Sequence, residues 1–301
     1  MNHIKISVII PFYNRVKTIT KCLQSIINQT YPPDEIIAID DGSTDDSVKV
    51  IKHFNKNIKI ISLNKNYGAQ KARNEGIKTA RNDWIAFIDS DDEWLSNKLE
   101  KQISLLKTAD FNPMTVVHGD CYIKNIDSED AKHWQLEKID GENVYKILLS
   151  KSGTLFPSIL TSRRALEKIN FLDENVPSYH EWDTAIRLAK YCRFIHIQEP
   201  LFIYNLHQNT ISKNSDTSAE GYQYIINKHK AEITKLCGID TYDRHLMTSA
   251  ILAMNSGDFK NGKKFLKNIH QFSIKIILLK ICTIFHLKPK YPMSLKSYIK
   301  G

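Results

Sequence analysis

Four short apolar runs constrain this chain more than any other feature. IKISVII (residues 4–10), EIIAID (35–40), IKIISL (58–63) and WIAFID (84–89) are hydrophobic and largely β-branched, as buried strands are. Helical patterns separate them. Residues 17–29 place Ile19, Leu23, Ile26 and Ile27 on one face, and Pro32–Pro33 then break the chain. A second helix is expected from DGST to Phe54, capped by Ser43 or Thr44. A third is expected over 68–80. Strands alternating with helices predict a mostly parallel sheet with right-handed crossovers. Such sheets bind ligands beyond the carboxyl ends of their strands. Three of those ends are polar here, Pro11–Asn14, Asp40–Asp41 and Asp89–Asp92, so they should converge. Pro11 is expected to end strand pairing, because it has no N–H to donate.

The rest of the chain is more mixed. TVVHGDCYI (115–123), RFIHI (193–197) and PLFIYNL (200–206) read as strands, and 162–169 and 181–191 as helices. The signal is helical from residue 218 onward, with a helical hairpin over 251–269 turning at Ser256–Asp258. Hydrophobic residues make up 42% and charged residues 25% of the chain, a balance that excludes wholesale disorder. No apolar run approaches the roughly 20 residues that span a bilayer. The first 15 residues lack a small-residue cleavage site, so a signal peptide is not expected. The five cysteines show no CxxC spacing, which argues against a zinc knuckle or a disulfide framework and for a reduced, cytoplasmic setting.

Charge is unevenly placed. The net charge is +9, yet from Phe259 onward there are ten lysines and no acid, leaving a body with a net of −1. A nearly neutral body argues against nucleic acid as partner. In the tail, Phe265, Ile269, Phe272, Ile276 and Leu279 recur at helical spacing, with Lys260, Lys264, Lys267 and Lys275 on another side. That pattern fits a helix lying on an anionic membrane surface through 260–290, in a peripheral location. It fits equally a helix packing its apolar face onto the body.

SVIIPFYNR, IDDGSTDDS, NYGAQKARNEGIKTA and WIAFIDSDDEW occur in this order. Together they resemble the family 2-type inverting glycosyltransferases of the GT-A fold. The resemblance is strong over about the first 100 residues. It extends more weakly to residue 212 through FLDE, HEWDTAIRLA and YNLHQNTIS. It implies an α/β GT-A domain over 1–215, with a Rossmann-like, mostly parallel sheet flanked by helices. Residues 1–110 would form the nucleotide-sugar-binding half and 111–215 the acceptor-binding half, followed by a basic helical region over 216–301.

Site roles follow from the same resemblance. Asp41, and less directly Asp40, would accept hydrogen bonds from the base or ribose of a sugar nucleotide, with Pro11 and Tyr13 lining the pocket. Asn66, Gly68 and Arg73 would approach the nucleotide, Gly68 through bare backbone and Arg73 through its donor fork. Asp89 would contact ribose with Ser90 beside it. Asp91 would be the metal ligand, with Asp92 adjacent. Clustered carboxylates repel one another unless a cation neutralises them. Oxygen ligands select hard ions such as Mn²⁺ or Mg²⁺, which stabilise a departing UDP or GDP. His207 matches a family histidine near the diphosphate or metal, whereas Asn205 stands where arginine is more usual. Glu181 falls where the family places its catalytic aspartate, the general base for the acceptor hydroxyl, with Asp183 behind it. Glutamate for aspartate moves that carboxylate by about 1.5 Å. The expected activity is metal-dependent inverting transfer of a sugar, from a UDP-sugar for preference, to a glycan or lipid-linked acceptor in bacterial surface polysaccharide synthesis. The alternative is a non-catalytic nucleotide-sugar-binding or assembly subunit.

Overall fold

The computed structural model describes residues 4–125, 128, 130–206, 215–271 and 273–289. They fall into two units. The first spans Met1–Val144, Gly153–Glu174 and Thr184–His207. It opens with β1 (Ile6–Phe12), α1 (Ile19–Ile27), β2 (Glu35–Asp40), α2 (Ser47–Phe54), β3 (Lys59–Ser62), α3 (Ala69–Thr79) and β4 (Trp84–Phe87). These strands lie parallel in the order β3-β2-β1-β4. Every residue of β1 is buried. Val8, Ile10 and Phe12 share a core with Ile19, Leu23 and Ile26 of α1. α3 covers the opposite face at Gly76, where an added Cβ would lie 2.6 Å from Ile9 and 2.7 Å from Ile39. The helix can approach the sheet this closely only without a side chain there.

The remaining strands make the sheet mixed. After β5 (Glu93–Trp94), α4 (Lys98–Thr108), β6 (Thr115–Asn125) and β7 (Ala131–Trp134) come α5 (Tyr145–Ser150), β8 (Leu160–Ser162), α6 (Arg163–Lys168), α7 (His180–Leu188) and β9 (Arg193–Leu206). β8 joins β4 and β6 antiparallel, β6 and β9 run parallel, and β5 closes on β9 antiparallel. The two strands expected over 193–206 are one strand, whose register against β6 shifts around Asp120.

Two local expectations are corrected. Pro11 does not end pairing, since it stands in register opposite Ile39 and β1 continues to Phe12. Phe12 O accepts from Asp41 N on the β2 side. Alternation therefore turns the Pro11 nitrogen towards β4, whose last pair is Ile9–Phe87, and no ladder bond is lost. Nor do Ser43 and Thr44 cap α2. That helix starts at Ser47, whose N–H donates to Asp45 Oδ1 at 2.9 Å.

The second unit comprises Tyr145–Ser152, Asn175–Asp183 and the chain from Gln208. Its described helices are α5, the start of α7, α8 (Ser215–Lys228), a single turn α9 (Lys230–Glu232) running into a π-helical stretch Ile233–Cys237, α10 (Ile239–Ser256), α11 (Phe259–Lys267) and α12 (Ile274–Ile284). The expected hairpin is present. α10 stops at Gly257 in the left-handed region, φ 96°, and Asp258 caps α11 by accepting from Asn261 N at 3.0 Å. Among the described residues no helix is long and apolar enough to cross a membrane.

Candidate active site

In the first unit, the polar ends of β1, β2 and β4 arrive at one edge of the sheet. Phe12 lies opposite Asp40, and Ile88 N donates to Ile9 O. Asn14, at φ 51°, accepts on Oδ1 from Thr44 N at 2.8 Å and Asp45 N at 3.3 Å. Its own N–H donates to Ser43 Oγ at 3.0 Å, and Arg15 N donates to Ser47 Oγ at 2.7 Å. Ser43 and Thr44 thus join the loops after β1 and β2. Asp40 Oδ1 accepts from Ser43 N at 2.8 Å, a local turn bond. Gly42 sits at φ 77° with its Cβ position 2.6 Å from the Lys65 backbone, so only glycine fits.

Asp41 is buried and uses both oxygens on backbone, Oδ1 accepting from Tyr67 N and Oδ2 from Gly68 N, each at 2.8 Å. It fixes the loop in front of α3. Gly68 has φ 96° and, among the described residues, nothing within 4 Å of its Cβ position. Its backbone therefore faces open space, and its conformation calls for glycine. Asn66 is exposed and accepts from Gly68 N at 3.1 Å. Tyr13 is 40% exposed at this edge, while Pro11 is buried in the strand.

The acidic turn after β4 is differentiated residue by residue. Asp89 Oδ1 is held at 2.5 Å by Nη2 of Arg73. That arginine is buried on α3, donates Nη1 to Gln70 at 2.8 Å and stacks 4.2 Å over the Phe156 ring. It is no surface arginine; its fork sets the Asp89 carboxylate. Ser90 is buried. Asp91 stays accessible, with Arg15 Nη2 at 3.4 Å from its Oδ2. Asp92 turns inward, where Oδ1 accepts from Asn205 N at 3.0 Å and Oδ2 has no partner among the described residues. Burial, then the Asp91 and Asp89 charges, push its carboxyl well above the usual range. Of the two carboxylates expected at a metal, Asp91 alone is on the accessible side. Asn205 also donates Nδ2 to Asp91 O at 2.8 Å, so the residue at the usual arginine position ties the turn to β9. His207 lies outside the described residues.

The expected base lies in the second unit. Glu181 is half-buried in the first turn of α7. The next two residues are locked. Trp182 is buried and donates Nε1 to Leu148 O at 2.7 Å. Asp183 is buried and receives Lys228 Nζ at 2.7 Å and His229 Nε2 at 3.1 Å. Burial alone would raise the Asp183 carboxyl, but the His229 and Lys228 hydrogen bonds outweigh it and hold it below its usual value. Asn14, Arg15, Asn205, Lys228 and His229 received no role from the sequence. Asn14 and Arg15 stand inside SVIIPFYNR, whereas no local pattern marks Lys228 or His229 as partners of Asp183.

A family model for glycosyl transferase family 2 matches residues 7–169. The chain belongs to glycosyl transferase family 2. It is 32% identical over 219 residues to the Escherichia coli UDP-Glc:alpha-D-GlcNAc-diphosphoundecaprenol beta-1,3-glucosyltransferase WfgD, covering 71% of this chain and 82% of that one. An uncharacterized glycosyltransferase of Bacillus subtilis, YwdF, is 31% identical over 225 residues, covering 73% and 81%. Among solved structures, S. aureus TarS 1-349 in complex with UDP-GlcNAc superposes with a TM-score of 0.67 at 18% identity, covering 98% of this chain and 90% of that one. The Pyrobaculum calidifontis mannosyltransferase PcManGT, in complex with GDP-Man and Mn²⁺, gives 0.62 at 15% identity, covering 100% and 84%. This family 2 member is therefore a glycosyltransferase with the GT-A fold and a helical C-terminal region.

Proposed function

We propose that this enzyme transfers a hexosyl or N-acetylhexosaminyl group from a UDP-sugar to a hydroxyl of a lipid-linked glycan acceptor, with inversion, in the assembly of bacterial surface polysaccharide. The observation that carries the reading is the convergence of three polar strand ends at one sheet edge, with the Asp41-anchored Gly68 backbone open to space and Asp91 accessible. Two relatives support the acceptor class: WfgD and WfaP, the latter 43% identical over 105 residues, are both named as UDP-Glc:alpha-D-GlcNAc-diphosphoundecaprenol glucosyltransferases. In this reading residues 1–110 hold the donor and 111–215 the acceptor.

The chain's own groups divide the work. Pro11, Tyr13, Asp40, Asp41, Asn66, Gly68 and Arg73 frame the nucleotide, with Asp89 and Ser90 at the ribose. Asp41 shapes the loop, and its remaining lone pairs can accept from the base. Arg73 orients Asp89. Glu181 removes the proton of the acceptor hydroxyl as that oxygen attacks the anomeric carbon. Asp183, His229 and Lys228 fix the helical turn that carries Glu181. Among the described residues no group of three or more His, Cys, Asp or Glu side chains is arranged to hold a metal. A partly exposed carboxylate at Asp91 nonetheless suits a Mn²⁺ or Mg²⁺ site, because such ions are commonly held by one or two carboxylates with substrate phosphates and water. Asp91 would be its ligand, with Asp92 behind and His207 a further candidate. When bound, the ion neutralises charge on the departing nucleoside diphosphate.

The test is a donor panel. UDP-Glc, UDP-GlcNAc and GDP-Man are each incubated with a GlcNAc-diphosphate-lipid acceptor and Mn²⁺, and released nucleotide is measured. Acceptor-dependent release from a UDP-sugar is expected. Release from GDP-Man alone, or UDP-sugar binding without release, would overturn the donor assignment or the catalytic reading respectively.

A further inference from the structure

α12 packs against α10 and α11, and its apolar residues are divided between two faces. Ile276, Leu279 and Thr283 are buried. At about 100° per residue they occupy an arc of roughly 60°. Ile274, Ile277, Leu278, Ile281, Ile284 and the following Phe285 fall on the opposite side, within an arc of about 120°. All six are exposed, Ile274 to 77%, Ile284 to 66% and Phe285 to 68%. Lys275 and Lys280 lie between the two faces, one on each flank, and both are exposed. No acid occurs anywhere from Phe259 onward.

The sequence pattern pointed to a different face. Of the residues it aligned, Phe265, Ile276 and Leu279 are buried within the second unit, as a packing helix requires. Ile269 is half-buried, and Phe272 lies outside the described residues. What packing leaves over is the outward stripe. A continuous row of large apolar side chains in water is unusual in a soluble protein and marks a contact surface.

We propose that the outward face of α12 is a membrane-contact surface, the apolar stripe entering the headgroup boundary of an anionic bilayer and Lys275 and Lys280 meeting its phosphates. The occupant follows from the chemistry. An apolar stripe flanked by cations, with no acidic side chain nearby in sequence, complements an acyl interior beneath anionic headgroups. Lysine stems of this length reach phosphates while the helix lies flat. A second copy of the same face would set like-charged flanks against each other. This inference deepens the lipid-linked acceptor reading, but it is tested without acceptor or donor, so the two fail separately.

The experiment is flotation of the full-length protein with equimolar phosphatidylglycerol/phosphatidylcholine vesicles, with pure phosphatidylcholine vesicles as reference. Binding is expected to the anionic vesicles at low salt, reduced about tenfold at high salt and weak on neutral vesicles. The triple variant Leu278→Gln/Ile281→Gln/Phe285→Gln should lose anionic binding about tenfold or more while its circular dichroism and nucleotide binding stay unchanged. Lys275→Glu/Lys280→Glu changes only exposed side chains and should give a similar loss. It decides the matter if the triple variant misfolds. No binding of the intact protein at low salt, equal binding to both vesicle types, or parental binding by these variants would overturn the proposal. So would a dimer, seen by sedimentation equilibrium, that the triple variant dissociates and vesicles do not.

Discussion

Asp89, Asp91 and Asp92 are near neighbours in sequence, yet each meets a different partner: a buried arginine, solvent beside Arg15, and a backbone amide. Asp91 is neither gripped by the buried arginine, as Asp89 is, nor turned inward, as Asp92 is, so Asp91→Asn should abolish transfer and weaken Mn²⁺-dependent UDP binding in calorimetry without changing the fold. Full activity of this variant in EDTA would contradict that role. The two acids of α7 separate in the same way. Glu181→Gln should keep its donor KM and melting temperature but lose roughly 10²-fold or more in kcat. Asp183→Asn removes the negative charge that pairs with Lys228 and His229, and should cost roughly 1–3 kcal/mol of stability while retaining most kcat at a permissive temperature. A dead Asp183→Asn beside a healthy Glu181→Gln would move the base to Asp183. The motifs made these acids legible as a set. Their division of labour was not, because it depends on Asn205, Lys228 and His229, which lie far away in sequence.

At the level of elements, the strand ends hold their loops through side-chain acceptors rather than through helix caps. Asp41, Asn14 and Asp45 receive the amides that fix the segments 12–16, 41–47 and 66–68. Gly42→Ala forces a left-handed residue and a Cβ into the Lys65 backbone. It should cost of the order of 1–3 kcal/mol and raise the donor KM, measured by urea unfolding and by nucleotide release. An unchanged KM would show that the 66–68 loop does not depend on that turn. The parallel strands and the α10–α11 hairpin were legible because apolar runs and a Gly–Asp turn are local signals. Pro11 inside β1 was not, because the cost of a missing N–H depends on where the neighbouring strand ends. For the tail the sequence left membrane contact and packing open: helical periodicity shows that a stripe exists, while only packing decides which stripe is covered, and Phe265, Ile276 and Leu279 are covered.

Across the whole molecule, each unit buries a neutral histidine. His118 is held with its pKa lowered to about 3, by burial first and then by His196 stacked at 4.4 Å. His245, bonded to Leu149 O and Tyr222, is lowered by burial to about 4. For both, the folded value lies below the ordinary value of 6.5, so between the two the unfolded chain binds more protons. Their stabilising contribution is complete above the unfolded pKa and is lost as pH falls through the window beneath it, at up to ~1.4 kcal/mol per pH unit for each histidine. The stability gap between the parent and His118→Asn should therefore narrow between pH 7 and pH 5 in urea melts, and a constant gap would refute the assignment. Fold class and family were readable across the first unit, where motif order matches strand order. The second unit, assembled from 145–152, 175–183 and the chain beyond 207, gathers segments that no sequence window joins. The central claim is direct displacement at the anomeric carbon of a UDP-sugar by an acceptor oxygen that Glu181 deprotonates. The anomeric coupling constant of the purified product in proton NMR tests it most directly. An α-linked donor should give a β-linked product; an α-linked product would contradict the account.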